Sequence, residues 1–180
     1  MPSANAPSGA WLDDFARGLR HPLHVEIFDF WRSRCRNGHI PRRQDIDPVE
    51  IGVRVLPWIV LYDVDWTGQA PRFRFRLVGT GNVARYGRDS TGRWFEEVYS
   101  GGVLDEQIET YSDAAQNARP SLALRQLPVK NKEFIPYERI LLPFAGDSDR
   151  VDTLMAVIGF SDLGSNMSPQ APIFGTPGNI

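Results

Sequence analysis

The sequence predicts an α+β domain built on an antiparallel sheet, and three observations carry that expectation. The segment Arg72–Val78 (RFRFRLV) alternates strictly. Side chains point to opposite faces along a strand, so Phe73, Phe75 and Leu77 form an apolar face and Arg72, Arg74 and Arg76 a wet one. Strand-like segments fall in two groups, one before and one after a helical stretch, which favours hairpins over βαβ repeats. One long segment, with Leu104, Ile108, Tyr111, Ala115 and Ala118 at helical spacing, separates the groups.

Gly79-Thr80-Gly81-Asn82-Val83-Ala84 matches the G-x-G-x-x-A pattern of dinucleotide binding and follows a strand. The first strand of that motif is buried on both faces and reads as a continuous apolar run. Arg72–Val78 has a wet face, so the glycines are read as residues that permit positive φ at a sharp strand exit.

Composition narrows the class. The chain has 180 residues, 42% hydrophobic and 23% charged, with a net charge of -2. That suits one domain with a sizeable core. It offers no basic footprint for nucleic acid. One cysteine excludes an internal disulfide framework. No run of about 18 apolar residues is present, so no membrane partner is expected. The N-terminus lacks a basic and apolar leader, and a cytoplasmic location is the default expectation.

In order, residues 1–20 read as a disordered lead-in and a short amphipathic helix with Trp11, Leu12, Phe15 and Leu19 at helical spacing. Residues 21–56 read as a helix and connector. His21-Pro22 opens the helix and Asn37-Gly38 closes it. This helix is apolar on two faces, which suits a sandwiched helix. One face covers the domain's own sheet. The other meets either the Trp11 helix or a second subunit, and Leu23, Ile27, Phe28 and Trp31 are the candidate contacts of a homodimer. Asp45, Asp47 and Glu50 read as caps around a short helix at Pro48 and not as a metal site.

Residues 57–161 form the expected core. Trp58–Val64 and Arg72–Val78 make a hairpin with a long loop. Trp94–Tyr99 is a helical turn. Gly101-Gly102 opens the long helix and Pro120 stops it. Strands follow at 121–129, 134–144 and 153–160, the last central, with Gly146–Arg150 as a turn. Residues 162–180 read as a flexible tail.

With this order in place, the chain resembles the PAS domain, and more closely a bacterial family of small, mostly standalone PAS-like proteins. The resemblance rests on Phe30-Trp31 in a helix, on the Pro41–Pro48 connector with Ile46-Asp47-Pro48, on Phe73–Thr80 followed by Gly87-Arg88-Asp89-Ser90-Thr91-Gly92, and on Tyr137–Pro143. It spans about Leu23 to Phe160. It implies a five-stranded antiparallel sheet with crossing helices and an N-terminal helical extension. It also implies a sensory or regulatory module that holds a small molecule between sheet and helices. Too few residues lie outside the core for an output domain, so output would pass to a signalling partner protein or through a change of oligomeric state. A ligand-free interaction adaptor is the alternative, and a small pocket enzyme a remoter one.

The cofactor is left unknown. His21, His24 and His39 all precede the first strand, away from the long helix that carries haem ligands in PAS domains. Cys35 lies in the N-terminal helix and the light-oxygen-voltage cysteine motif is absent, which argues against covalent flavin chemistry. Candidate ligand contacts are Tyr86, Trp94, Phe95, Tyr111 and Tyr137, with Arg74 as a candidate anion contact. The competing expectation for the arginine stripe is a solvated face paired with acids. No catalytic residue is assigned: Cys35 and His39 are separated by a helix end, and no carboxylate stands isolated in an apolar run. The chain is therefore not expected to be an enzyme.

Overall fold

A computed structural model describes residues 5–126 and 135–161. Among them, β1 (Ile59–Asp65), β2 (Arg72–Val78), β3 (Ser121–Gln126), β4 (Pro136–Ala145) and β5 (Val151–Phe160) form one sheet in the order 2-1-5-4-3. Every pairing is antiparallel. β5 is central because its neighbours on both sides are buried strands, and its own run from Thr153 to Phe160 is buried throughout.

The two faces of the sheet are covered differently. On the inner face lie α4 (Thr80–Tyr86), α5 (Phe95–Val98) and α6 (Gly101–Asn117). On the outer face lies α2 (Pro22–Arg34), with α1 (Gly9–Gly18) against it and α3 (Pro48–Ile51) in the connector. β4 shows the consequence of alternation: Tyr137, Arg139 and Leu141 turn inward, and Glu138, Ile140 and Leu142 turn outward. With a cover on each side, both sets are mostly buried, which is why the strand reads as a continuous run.

α2 docks through its termini as well as its apolar side chains. Pro22 occupies the first turn and the His21 ring accepts from the Leu23 N–H at 3.2 Å. The other ring nitrogen of His21 lies 3.1 Å from the Phe160 carbonyl, and His24 lies 3.0 Å from the Val157 carbonyl. The Trp31 indole donates to the Pro143 carbonyl at 2.7 Å. Gly159 is small because a Cβ there would fall 2.7 Å from the His21 ring. Burial lowers the His21 pKa, with the bond to Phe160 acting against that.

This packing reassigns the four candidate dimer contacts. Leu23, Ile27, Phe28 and Trp31 are 5%, 1%, 1% and 0% exposed within the single chain. They are core and offer no surface to a second subunit while α2 stays docked. The second apolar face of α2 meets α1 instead, where Phe15 packs on Phe28 at 5.1 Å and Asp13 pairs with Arg32. Residues 5–8 are also not a loose lead-in. The Ala6 N–H donates to the Gly38 carbonyl at 2.7 Å and Ser8 caps α1. The part of the expected 121–129 strand after Gln126, Phe134 at the start of the next, and the tail beyond Ser161 lie outside the described residues.

The reason for Gly79 also differs from the expectation. Its φ is -60°, so no left-handed backbone is involved. The strand exit runs against the start of β1: the Gly79 N–H donates to the Ile59 carbonyl at 2.8 Å, and a Cβ would sit 2.8 Å from that same oxygen and inside contact of the Pro57 carbonyl. Both obstacles are backbone and cannot swing away. Gly79→Ala is therefore expected to destabilise the domain by about 1–3 kcal/mol. Urea unfolding measures this, and a change within about 0.5 kcal/mol of zero would show that the exit relaxes freely.

Candidate functional site

The inner face is dominated by aromatic residues whose position follows from strand alternation. Tyr62 of β1 and Phe73 and Phe75 of β2 point at α5 and α6. There Phe95 and Tyr111 meet them edge-on or tilted, with Tyr62–Phe95 at 5.5 Å, Tyr62–Tyr111 at 4.9 Å and Phe95–Tyr111 at 4.9 Å. Such geometries suit the quadrupoles of the rings. Tyr99 extends the cluster, 5.4 Å from Phe95.

Beside this cluster is a cavity of about 40 Å³. Val60, Tyr62 and Phe75 wall it on the sheet side, and Tyr86, Val98 and Tyr99 on the helix side. Ser90 and Arg88 complete its rim, and Arg88 is tied to the Val98 carbonyl at 3.2 Å. Tyr86 and Tyr99 are half-buried, so they reach from the cavity toward the surface. Burial raises the phenol pKa of Tyr62, Tyr86, Tyr99 and Tyr137 above the ordinary tyrosine value. The site is therefore lined with neutral hydroxyl groups at any physiological pH.

The second feature is Arg139 of β4, 3% exposed. Its Nη1 donates to the Gln107 Oε1 at 2.7 Å and to the Tyr111 hydroxyl at 3.3 Å, and its guanidinium lies 4.7 Å from the Tyr111 ring centroid. Its Nε and Nη2 are buried without a hydrogen-bond partner. Burial penalises the cation, and Tyr111, Tyr137, Tyr62 and Tyr99 around it act in its favour, with the net effect of raising its pKa. It therefore stays charged. The acids on neighbouring elements lie away from it. Glu106 pairs with Arg125, and Glu138 is on the other face of β4, 3.5 Å from His24.

The six candidate ligand contacts divide between the two faces. Tyr86 lines the cavity, Phe95 and Tyr111 form the aromatic floor beside it, and Tyr137 stands next to Arg139 in the inward row of β4. Trp94 and Arg74 do not join them. Arg74 points outward and pairs with Asp63 at 2.9 Å, and Arg76 pairs with the same carboxylate at 3.2 Å. Trp94 bridges to the β2 edge and stacks under Arg72 and Arg74, 4.3 and 5.7 Å from the ring. Arg72 also pairs with Glu96 at 3.0 Å. The arginine stripe is thus an acid-paired outer face, with Asp63 at its centre.

Several other features have structural roles. The Asp89 carboxylate accepts from the Thr91 N–H at 2.9 Å and the Thr91 hydroxyl at 2.6 Å, which hold its pKa below the usual value. The same hydroxyl accepts from the Val78 N–H at 3.2 Å, and the Gly92 N–H donates to Phe75. The G-R-D-S-T-G segment therefore clips the crossing loop onto β2. Cys35 caps the end of α2, and burial pushes its thiol up to about 12, far from a reactive thiolate. Among the described residues, no group of three His, Cys, Asp or Glu could hold a metal ion, and no helix is long and apolar enough to cross a membrane.

Arg139, Gln107 and Tyr99 were absent from the candidates read from sequence. Arg139 shares the inward phase of Tyr137, and Gln107 shares a helical face with Tyr111 one turn on, so both were readable from spacing alone.

Comparison with known proteins agrees with this architecture. Residues 19–159 match the family model described as PAS domain. No curated protein matches the chain significantly. Among solved structures, the PAS domain of Bordetella pertussis BvgS aligns at 15% identity and a TM-score of 0.45, over 59% of this chain and 82% of that one. A fungal light-oxygen-voltage photoreceptor domain aligns at 12% identity and a TM-score of 0.44, over 74% and 88%. The Rhodobacter sphaeroides light-oxygen-voltage protein aligns at 16% identity and a TM-score of 0.42, over 57% and 58%. The match over most of the sequence, together with the five-stranded antiparallel sheet and its crossing helices, shows that this chain belongs to the PAS domain family, a class of sensory and regulatory modules.

Proposed function

We propose that this chain is a cytoplasmic, non-catalytic sensory module that takes a small molecule between its sheet and crossing helices and reports occupancy to a partner protein or a second copy. The observation that carries this reading is the cavity on the inner face, lined in part by two half-buried tyrosines. A mixed lining of tyrosine hydroxyls and apolar side chains, next to a floor of edge-on and tilted rings, suits an amphipathic guest. At about 40 Å³ the space admits only a few heavy atoms, so a larger guest must swing Tyr86 or Tyr99 outward.

A route from site to surface supports a signalling role. Arg139 and Glu138 are neighbours on β4 that face opposite sides of the sheet. A guest that draws the Arg139 side chain inward also shifts the strand that carries Glu138 beside His24 of α2. The outer helix thereby senses the inner cavity. The remaining exposed apolar side chain of α2, Val25 at 41%, marks the part of its surface open to a partner.

The small cavity volume favours one competing reading, a ligand-free adaptor that works through protein contacts alone. Native mass spectrometry beside denaturing mass spectrometry decides between them. The expected result is a small mass carried by the native protein and released on denaturation. Equal masses, for protein purified by affinity capture without dialysis, would leave the adaptor reading in its place. The same spectra give the number of subunits.

A further inference from the structure

Building on the small-molecule reading above, we infer that the guest is a small carboxylate and that Arg139 is its anchor. The argument rests on which edge of the guanidinium is free. A guanidinium has five N–H donors in a fixed plane. The Nη1 end of Arg139 is taken by Gln107 at 2.7 Å and by the Tyr111 hydroxyl at 3.3 Å. The two nitrogens without a partner, Nε and Nη2, share one edge of the plane. Their N–H bonds run parallel, and that spacing matches the two oxygens of a carboxylate.

A cation buried to this degree, with its recognition edge unpaired, is costly unless something of opposite charge meets it. Among the described residues, the inner face supplies no carboxylate to do so. Glu106 is engaged by Arg125, and Glu138 faces His24 across the sheet. What surrounds Arg139 is phenols, which are hydrogen-bonding and uncharged. Tyr111, whose ring lies under the guanidinium, stands 4.9 Å from Tyr62 of the cavity wall. Arg139 does not itself line the cavity, and the Tyr111 and Tyr62 rings stand between the two. A guest that extends from the cavity past these rings meets Nε and Nη2 with its carboxylate. Gln107 and Tyr111 fix the plane of the guanidinium and act as positioning residues.

The test uses the full chain with sodium acetate as the probe, and sodium chloride and acetamide as controls at matched ionic strength and concentration. The side-chain Nε–H of Arg139 is followed by ¹H–¹⁵N NMR, assigned by its loss in Arg139→Gln. The expected result is a saturable shift of the Arg139 Nε–H with acetate, absent with chloride and acetamide, together with a melting temperature that rises with acetate and does not in Arg139→Gln. If that variant fails to fold, the Nε–H is assigned through correlations along the Arg139 side chain to its backbone, and the wild-type titration decides alone. An Arg139 signal indifferent to acetate overturns the inference, as does an equal response to chloride. The outcome is separable from the broader reading. A neutral molecule released in the native mass spectrum, with Arg139 indifferent to acetate, would keep the sensor and remove the carboxylate. No releasable mass and no acetate response would remove both.

Discussion

Replacing Trp31 by alanine is expected to lower the stability of the domain by about 3–5 kcal/mol. Trp31 is fully buried between α2 and the outer face of the sheet, 5.9 Å from the Phe28 ring. Its indole N–H satisfies the Pro143 carbonyl at 2.7 Å. Alanine removes the largest fully buried side chain and orphans that oxygen, so a cavity and an unsatisfied acceptor act together. Domains of this size are stable by only about 5–15 kcal/mol, so the variant lies near the unfolding threshold. Urea denaturation followed by circular dichroism gives the value. Trp31→Phe is the companion, since it keeps most of the volume and loses the hydrogen bond alone. A loss below about 1 kcal/mol for the alanine variant would mean that α2 is an appendage and not part of the core.

The second large effect is on the alkaline side. Tyr62, Tyr86, Tyr99 and Tyr137 all have their pKa raised in the folded chain, chiefly by burial. The sign follows from linkage. Above about pH 10 the unfolded chain releases these protons while the folded chain retains them. The stability they contribute is present in full below that pH and declines as the pH rises beyond it. Each phenol that keeps its proton in the folded chain adds up to about 1.4 kcal/mol per pH unit to the decline. Urea midpoints between pH 7 and 11 check this. Flat stability up to pH 11 would show that the phenols reach solvent without unfolding. Tyr137→Phe should reduce the slope by about one proton's share.

Local patterns in the chain were enough to specify the elements. The strict alternation of Arg72–Val78 marked a strand with one wet face, and the structure places that strand, β2, at the edge of the sheet. His21-Pro22 marked the start of α2, Asp47-Pro48 the start of α3, and Gly101-Gly102 the start of α6. The long apolar run at Thr153–Phe160 marked the central strand, because only a strand covered on both faces can be apolar throughout.

What these patterns left open is which partner covers each face. Trp31 and Phe28 are equally apolar whether they meet a sheet or a second subunit. The choice fell to the outer face of β4 and β5, more than a hundred residues away, whose carbonyls accept from His21, His24 and Trp31. Gly79 carries the same lesson, since the glycine is required by backbone from β1 and not by its own φ. The arginines divide for this reason too. Arg74 and Arg139 are both arginines in strands, and periodicity treats them alike. Arg74 lies on an edge strand facing water and meets Asp63 there. Arg139 lies one strand from the centre under α6, where water is excluded and its Nε and Nη2 have no partner. The sequence by itself determined the elements, their order and the family, because those depend on near-neighbour spacing. Only the tertiary structure decided which polar groups are desolvated, because burial is a property of the faces that meet and not of the residues that follow one another.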